Sequence, residues 1–420
     1  MGMTIGEKIL ARASGKPAVS AGEIVTAKVD YCMSNDGTTH LNIDIFEKKL
    51  KADKVFDPDK MIFIVDHNIP AESPKSAEVH KKMRRFAQQH KLHFFEGTGV
   101  CHQIMLEQFI VPGQLIVAAD SHTCSYGALG AFGTGVGSTD LTAVMKSGEI
   151  WLMAPETLRF NFHGEFKPGV TSRDLILKIL GDIGANGANY KIMEFGGPAV
   201  KNMTIDDRVV LANMAVEAGA KTGLFEPDDT TVDYVKSRGR EPVALFKSDP
   251  DAKYEAVYTY DLGALEPMVA IPHSVDDVHP VTEYGDVKID QGFIGSCNNG
   301  RIESLRLAAH ILKGRKVHPF VKLLISPASN EVYLQALAEG LVDTFIASGA
   351  IMLNSNCSVC WGSCQGVIGE GEVLLSTGTR NFKGRAGHKD SFVYLASAAA
   401  VAASAITGKI TDPRGFLTHE

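Results

Sequence analysis

Three cysteines are the residues of this chain whose type and spacing point most directly to chemistry. Cys297 lies in the segment FIGSCNNGR, and Cys357 and Cys360 form a C-x-x-C pair in NSNCSVCWGSC. Such a pair presents two thiolates to one metal, and the cysteine upstream can supply a third. Three thiolates neither close an all-thiolate zinc site nor ligate every iron of a four-iron cluster. An iron–sulfur cluster held in this way would keep one iron open to a substrate, as a Lewis acid.

Other sites could be built on the same pair. A structural zinc site would want a second C-x-x-C or an H-x(3–5)-H motif downstream, and neither follows. A thioredoxin-like dithiol would open a helix after an early strand, not lie this far along the chain. Cys364 could join Cys357 and Cys360 without Cys297, and this alternative ligand set stays open. The remaining cysteines have no partner spacing and are predicted to be partly buried thiols: Cys32, Cys101 and Cys124.

Two carboxylate–imidazole neighbours follow predicted strands. Asp66 and His67 end the run MIFIVDH, and the triplet Asp120, Ser121 and His122 ends the run QLIVAAD. A carboxylate fixes the tautomer of a neighbouring histidine and raises its basicity, as acid–base catalysis requires. One such pair would more often be structural, but two at matching positions favour a function. His102, in GVCHQIMLE, is a weaker candidate that could equally cap a helix or lie in the core.

Two arginines in the loop STGTRNFKGRAG could bind carboxylates. Arg380 and Arg385 lie five residues apart in a glycine-containing segment that follows the cysteine pair by about twenty residues. Because a guanidinium binds a carboxylate through two parallel hydrogen bonds, two arginines suit a di- or tricarboxylic acid. The alternative is a solvated surface loop. The nearby cysteine pair favours carboxylate binding over that alternative.

Composition limits the class of protein. The chain has 420 residues, of which 45% are hydrophobic and 22% charged, with a net charge of −7, so no basic tract points to nucleic acid or to an anionic membrane. Seven cysteines at this length, with no apolar leader at the start, favour free or metal-bound thiols in a reducing cytoplasm. The apolar segment FVYLASAAAVAASAITG is too short and too alanine-rich to span a bilayer, and is predicted to be a buried helix.

Short β-rich runs alternate with helical patterns, which is typical of an α/β protein. We predict domains at 1–155, 156–283 and 284–420, the last carrying the cluster cysteines. Thr171 or Ser172 is expected to cap a helix over TSRDLILKILGDIG, a single helix is expected over EVYLQALAEGLVDTFIASG, and PMVAIPHSVDDVHPVTEYGDV is expected to be an extended connection. The glycine-rich stretch GALGAFGTGVGSTD is expected to allow close approach of the backbone to a ligand.

These motifs together resemble the aconitase superfamily, and within it the large subunits of 3-isopropylmalate dehydratase and homoaconitase. The similarity runs through VDHN, HQI, AADSHTCSYGALG, NMAVEAGAKTGLFEPD, FIGSCNNGR, CSVCWG and RNFKGR. It implies three α/β/α domains around a central cleft, without the C-terminal swivel domain of the longer single-chain aconitases.

The resemblance also implies a role for each matching residue. One [4Fe–4S] cluster per chain would be held by Cys297, Cys357 and Cys360. Removal of the substrate hydroxyl would involve catalytic residues that match the family's histidines and carboxylates: Asp66, His67, His102, Asp120, His122 and Glu217. Substrate would be bound by polar and basic residues at the family's contact positions: Asn35, Asp36, Ser121, Asn213, Arg380 and Arg385.

The implied activity is that of a hydro-lyase that dehydrates and isomerises a hydroxy dicarboxylic or tricarboxylic acid, foremost 3-isopropylmalate in leucine biosynthesis. Homocitrate or homoaconitate, 2-methylmalate and 2,3-dimethylmalate are alternative substrates, because Thr379 and the loop NSNCSVCWG depart from the pattern of many members. A separate small subunit is expected to supply the swivel domain and a serine base. Two rivals from other classes are an iron–sulfur electron-transfer or iron-sensing protein and a structural zinc protein.

Overall fold

A computed structural model of the chain describes residues 2–417. It confirms the α/β class. The strands of this part of the chain, in order, are β1 (Ile24–Lys28), β2 (Tyr31–Asn35), β3 (Met61–Val65), β4 (His93–Glu96), β5 (Leu115–Ala118), β6 (Phe132–Gly135), β7 (Glu149–Met153), β8 (Thr157–His163), β9 (Ile192–Gly196), β10 (Thr222–Phe225), β11 (Ala256–Asp261), β12 (Met268–Ala270), β13 (Val278–Pro280), β14 (Gln291–Ile294), β15 (Lys322–Ile325), β16 (Ile351–Met352), β17 (Val373–Ser376) and β18 (Phe392–Ala396).

The α-helices alternate with these strands. They are α1 (Ile5–Ser14), α2 (Thr39–Asp44), α3 (Pro74–His90), α4 (Cys101–Gln108), α5 (Ser138–Ser147), α6 (Ser172–Ile183), α7 (Ile205–Met214), α8 (Asp229–Lys236), α9 (Ser296–Asn299), α10 (Ile302–Leu312), α11 (Asn330–Ala338), α12 (Leu341–Ser348) and α13 (Ala398–Thr407). Among the described residues, no helix has the length and apolar character needed to cross a bilayer.

The chain divides into two compact units. The first comprises the residues up to Glu96, Ile104–His163 and Ala188–Tyr260, and the second comprises Gly97–Gln103, Gly164–Gly187 and the residues from Asp261 onward. The division therefore passes within α4. The three domains at 1–155, 156–283 and 284–420 stay a prediction.

The first unit is built on a five-stranded parallel sheet of order β4-β3-β2-β5-β6. Every residue of β3 is buried, because a central parallel strand is covered on both faces. A second sheet of order β10-β9-β8-β11 and an antiparallel ribbon of β1 and β7 complete this unit. In the parallel sheet the carboxyl ends of β3, β2 and β5 lie side by side.

The second unit is built on a seven-stranded sheet of order β13-β12-β18-β17-β14-β15-β16. Its strands β14 to β18 run parallel, whereas β12 and β13 join antiparallel. The segment expected to be an extended connection therefore contributes two strands to this sheet. Helix α13 is almost entirely buried and packs against α10, where its alanines allow close approach.

Two predicted helices differ from the structure. The single helix expected over 331–349 is two helices, α11 and α12, because Gly340 between them adopts a left-handed conformation (φ 72°) that a continuous helix does not contain. The alanine-rich helix expected over 392–408 begins only at Ala398. Its first five residues form β18, and Ser397 caps the helix by accepting a hydrogen bond from the N–H of Ala400.

The cap of α6 makes a prediction about pH. Thr171 is the N-cap, and the buried Asp174 side chain accepts hydrogen bonds from the N–H groups of Thr171 and Met268, each at 2.8 Å. Burial outweighs these bonds and raises the pKa of Asp174 to about 6. The folded chain thus holds a proton that the unfolded chain releases near pH 4, so this contribution to stability is complete below pH 4 and is lost as the pH rises through about 6.

We therefore compare the free energies of unfolding of the wild type and of Asp174→Asn. The wild-type value minus the variant value is expected to fall by on the order of 3 kcal/mol between pH 4 and pH 7. Urea unfolding of both proteins at the two pH values, followed by circular dichroism, measures this difference. Asp276→Asn is the control, since the pKa of Asp276 is lowered, chiefly by a hydrogen bond from Ser274. The contribution of Asp276 to the free energy of unfolding therefore rises with pH, opposite to that of Asp174. A wild-type-to-Asp174→Asn difference that does not vary with pH would contradict the prediction.

Candidate active site

In the first unit, polar residues follow the carboxyl ends of the three adjacent strands β3, β2 and β5. Asn35 ends β2, while Asp66 and Asp120 lie just past β3 and β5. The Asn35 side-chain amide donates to Asp120 Oδ2 at 2.9 Å, and His67 Nε2 lies 3.9 Å from the same oxygen. The end of a parallel sheet is where α/β proteins commonly bind ligands, and here it gathers the side chains that the sequence singled out.

His67 is held by two carboxylates. Its Nδ1 lies 2.7 Å from Asp66 Oδ1, and its backbone N–H donates to Asp36 Oδ1 at 2.9 Å. Asp36 also accepts the backbone N–H groups of Asp66 at 3.0 Å and Asn68 at 2.8 Å. The buried Asp36 side chain therefore fixes the turn that orients the imidazole of His67.

The charge of Asp36 is stabilised by its surroundings. Burial alone would raise the pKa of its carboxyl, but hydrogen bonding from His80, the charge of His67 and the backbone N–H groups hold that pKa well below its usual range. His80, on α3, has its Nε2 atom 3.5 Å from Asp36 Oδ2. The sequence analysis missed His80, because nothing in a helical run of charged residues marks it as buried.

His122 forms a second carboxylate–imidazole pair, with a partner distant in sequence. Its Nε2 lies 2.9 Å from Glu217 Oε1, which a short 3₁₀ turn presents directly after α7. Asp120 caps the turn that carries His122 by accepting its backbone N–H at 2.8 Å. The structure thus places Glu217 beside His122, an arrangement that residue spacing does not reveal.

The remaining candidates of this unit differ in exposure. Ser121 is half-buried and begins the 3₁₀ turn, whereas Asn213 is buried and donates to Ser125 Oγ at 2.8 Å. The glycine-rich stretch approaches the chain's own backbone: a Cβ on Gly135 would lie 2.5 Å from the Asp120 carbonyl oxygen, and one on Gly127 would lie 1.6 Å from that of Gly223. At these two positions the missing side chain allows close packing of neighbouring backbone, and the close approach of the stretch to a ligand stays a prediction.

In the second unit, the three proposed cysteine ligands follow parallel strands of the seven-stranded sheet. Cys297 lies in α9, which begins two residues after β14, and Cys357 and Cys360 lie in the loop after β16. Cys297 and Cys357 are buried in one apolar cluster with Val100, against which Trp361 packs. His102 is buried in the first turn of α4, two residues after Val100. Cys364 is buried but is not a member of this cluster.

The donor set fits an iron–sulfur cluster. All seven cysteines are free thiols, so no disulfide competes for the sulfur atoms. Burial alone would raise the pKa of the Cys360 thiol, but the Arg385 guanidinium and Thr379 bring it below its usual value. A depressed pKa favours the thiolate, which is the form that binds metal. Two buried thiols, Cys297 and Cys357, and the half-buried Cys360, all following strands of one sheet, suit such a cluster.

The arginine loop follows β17. Arg385 is half-buried, with its guanidinium carbon 6.0 Å from the centre of the Trp361 ring and 5.6 Å from that of Phe382. Arg380 is also half-buried, and Asn381 anchors the loop by donating to the carbonyl of Ile271 at 2.7 Å. Both arginines thus lie half-buried on an anchored loop, a setting that suits carboxylate binding.

Gly378 tests how tightly this site is packed. A Cβ on Gly378 would lie 3.0 Å from Ser376 Oγ and 3.3 Å from Cys360 Sγ. We expect Gly378→Ala to displace the Cys360 sulfur, to cost about 1–3 kcal/mol through overpacking and to accelerate iron loss after reconstitution. Gly415→Ala is the matched control, because a Cβ there meets nothing within 4 Å. Equal iron retention in the two variants would contradict this expectation.

The sequence is similar to those of known proteins over almost its whole length. The sequence model described as Aconitase family (aconitate hydratase) matches residues 7–408. The 3-isopropylmalate dehydratase large subunit of Aquifex aeolicus is 50% identical over 98% of this chain and 97% of that protein. The corresponding protein of Hydrogenobaculum sp. is 50% identical over 98% of each chain, and the large subunit 1 of Pyrococcus furiosus is 49% identical over 98% of each.

A solved structure shares the fold. The holo-form of aconitase X from Thermococcus kodakaraensis aligns with a TM-score of 0.51 at 13% identity, covering 86% of this chain and 84% of that chain. The family match spans nearly all of the described chain, and half of the residues are identical to those of the relatives named. The chain therefore belongs to the aconitase family.

Proposed function

We propose that this chain is the large subunit of a hydro-lyase that dehydrates and isomerises 3-isopropylmalate. The observation that carries the proposal is the near full-length identity of about half to several proteins named as 3-isopropylmalate dehydratase large subunits. The two half-buried arginines of the second unit and the histidine–carboxylate pairs of the first suit a hydroxy dicarboxylic acid. The names of these relatives also support a small subunit as partner.

The proposed cofactor is one [4Fe–4S] cluster per chain, with Cys297, Cys357 and Cys360 as ligands. When bound, it supplies an open iron that acts as a Lewis acid on the hydroxyl and a carboxylate of the substrate, with no electron transferred. Cys297 and Cys357 are buried together in one group of apolar side chains, and the pKa of Cys360 is lowered; both observations support this ligand set.

The proposed work of the first unit is proton transfer to the departing hydroxyl. Because Asp66 lies at Nδ1 of His67, the proton of the imidazole stays on that atom, and Nε2 is the position that gives or receives a proton. Glu217 Oε1 lies within hydrogen-bond distance of His122 Nε2, at 2.9 Å. We assign these pairs, with Asp120, to protonation of the hydroxyl and to holding the water that forms. His102, which belongs to the second unit, is proposed to take part in the same step.

The substrate-binding residues divide by exposure. Ser121, Arg380 and Arg385 are half-buried and are proposed to contact the substrate. Asn35, Asp36 and Asn213 are buried and hydrogen-bonded within the first unit, so we propose that they act chiefly by orienting Asp120, His67 and the turn that contains Ser125.

Replacing either arginine by lysine tests carboxylate binding. We expect Arg380→Lys and Arg385→Lys each to lower kcat/KM roughly ten-fold to a thousand-fold, because an ammonium keeps the charge but loses the two-pronged geometry. Iron and sulfide content should stay at the wild-type level, and steady-state kinetics on the reconstituted enzyme measure the loss. Arg414→Lys is a control, since Arg414 pairs with Asp412 at the surface. Wild-type kinetics in both loop variants would instead indicate that this segment is a solvated surface loop that does not bind substrate.

The substrate itself is tested by a panel assay. The anaerobically reconstituted chain, combined with a small subunit, is offered 3-isopropylmalate, homocitrate, citrate, 2-methylmalate and 2,3-dimethylmalate, and alkene formation is followed by absorbance. The highest kcat/KM is expected for 3-isopropylmalate. A higher value for any other acid would assign the chain to that substrate.

A further inference from the structure

Arg173 is a fully buried arginine that the sequence analysis did not single out. It lies in the first turn of α6, within the second unit. The helix is anchored there by the Thr171–Asp174 capping box and by the bond from the Met268 N–H to Asp174. The guanidinium therefore projects from a helix turn that is held in place by these bonds.

The guanidinium bonds to two segments that lie beside cysteines. Its Nη1 donates to Asn298 Oδ1 at 2.8 Å, and its Nη2 donates to the carbonyl oxygen of Gly378. Asn298 directly follows Cys297. Gly378 is the residue at which an added Cβ would contact Cys360 Sγ. One side chain thus fixes the distance between the turn of Cys297 and the backbone behind Cys360.

The turn of Cys297 needs such support. Ser296, directly before this cysteine, adopts a left-handed conformation with φ of 67°, which is unfavourable for a non-glycine residue. Arg301 donates from Nη1 to the carbonyl of Asn298 at 3.0 Å, and Thr377 Oγ1 accepts the N–H of Gly295 at 3.0 Å. Together with the bond from Arg173 to the Asn298 side chain, these contacts oppose relaxation of the turn.

Charge gives a second reason for an arginine here. Burying a guanidinium removes its hydration, which is unfavourable, so a buried cation is retained where nearby groups compensate for that loss. Thiolates in a low-dielectric interior are stabilised by a fixed positive charge. The hydrogen bonds of Arg173 lead to the turn of Cys297 and to the Gly378 backbone beside Cys360, and its rigid fork reaches both acceptors at once.

We propose that Arg173 is a positioning residue of the iron–sulfur site, holding the Cys297 turn and the backbone behind Cys360 in the arrangement that binds the cluster. The proposal rests on the proposed function. In this role Arg173 does not contact the substrate but acts through Asn298 and Gly378.

The experiment compares Arg173→Met and Arg173→Lys with the wild type in the full chain. In the cluster-free protein, alkylation of each cysteine by N-ethylmaleimide is followed by mass spectrometry. We expect Arg173→Met to raise the labelling rates of Cys297 and Cys360 roughly ten-fold through loss of its hydrogen bonds, and Arg173→Lys to raise them less, because an ammonium keeps the charge but not the fork that reaches both acceptors. Cys32, which is fully buried in the first unit, is the internal reference and should not change.

Cluster retention is the second readout. Iron release in air from the reconstituted protein should be several-fold faster in Arg173→Met than in the wild type and intermediate in Arg173→Lys. Arg208→Met is the matched control, because Arg208 is equally buried but bonds to Asp228 and Thr231 in the first unit. It should leave labelling of Cys297 and Cys360 unchanged.

The outcomes separate the two proposals. Equal labelling of Cys297 and Cys360 in Arg173→Met and the wild type overturns the positioning role, whether or not a cluster assembles. Faster labelling of Cys32 as well as Cys297 and Cys360 in Arg173→Met would also overturn it, because the side chain would then act on global stability. A wild-type chain that binds zinc without sulfide would refute the proposed cofactor, while the labelling rates still decide the role of Arg173.

Discussion

Replacing Cys297, Cys357 or Cys360 by serine is expected to abolish cluster binding and activity, whereas Cys364→Ser should retain both. A serine hydroxyl is a far weaker acid than a thiol, so it stays protonated at neutral pH and does not replace a thiolate ligand of iron. The wild-type protein, purified without oxygen, is expected to carry about four iron and four sulfide per chain and to fall to about three iron in air, since three thiolates leave one iron labile. Iron and sulfide analysis and the electron paramagnetic resonance signal of the three-iron form measure these changes.

Cys364→Ser is the matched control for the three ligand variants. It removes a buried thiol from the same loop without touching the cluster of Val100, Cys297 and Cys357. Loss of iron in Cys364→Ser together with retention in Cys297→Ser would instead establish the ligand set of Cys357, Cys360 and Cys364. Stoichiometric zinc without sulfide in the wild type would favour the structural zinc alternative.

The second large effect expected is a dependence on a partner. The relatives that match this chain over almost their whole length are named as large subunits. We therefore expect the chain with its cluster intact to turn over 3-isopropylmalate poorly by itself, and titration of a small subunit to raise kcat by roughly a hundred-fold or more, as addition of a missing general base does. Alkene formation during the titration gives both the rise and the stoichiometry.

A cluster-bearing but inactive variant, Glu217→Gln, is the control for this titration. It keeps the size of the side chain that lies beside His122 but removes its charge, so added partner should not restore activity. Full activity of the wild-type chain alone would contradict the dependence and would require that a base for the C–H proton lie within this chain.

Local sequence determined much of this protein. Thr171 caps α6 as predicted, since capping involves residues three apart whose bonds form within one turn. Asp66, His67, Asp120 and His122 follow buried strands, and the alternation of elements is that of an α/β fold. The resemblance of the motifs to the aconitase family was confirmed by the family match. The roles of the individual site residues remain predictions.

Only the tertiary structure decided which distant groups meet. His122 and Glu217 lie 95 positions apart, and the resemblance named both without indicating that they form a pair. Arg173 lies 125 positions from Asn298 and 205 from Gly378, and nothing in its own helix marks it as buried. Helical periodicity also could not show that β18 precedes α13, because alanine and valine suit a buried strand as well as a buried helix. Spacing along the chain constrains bonds within a turn or a strand, whereas pairings across a sheet end depend on the packing of the whole unit.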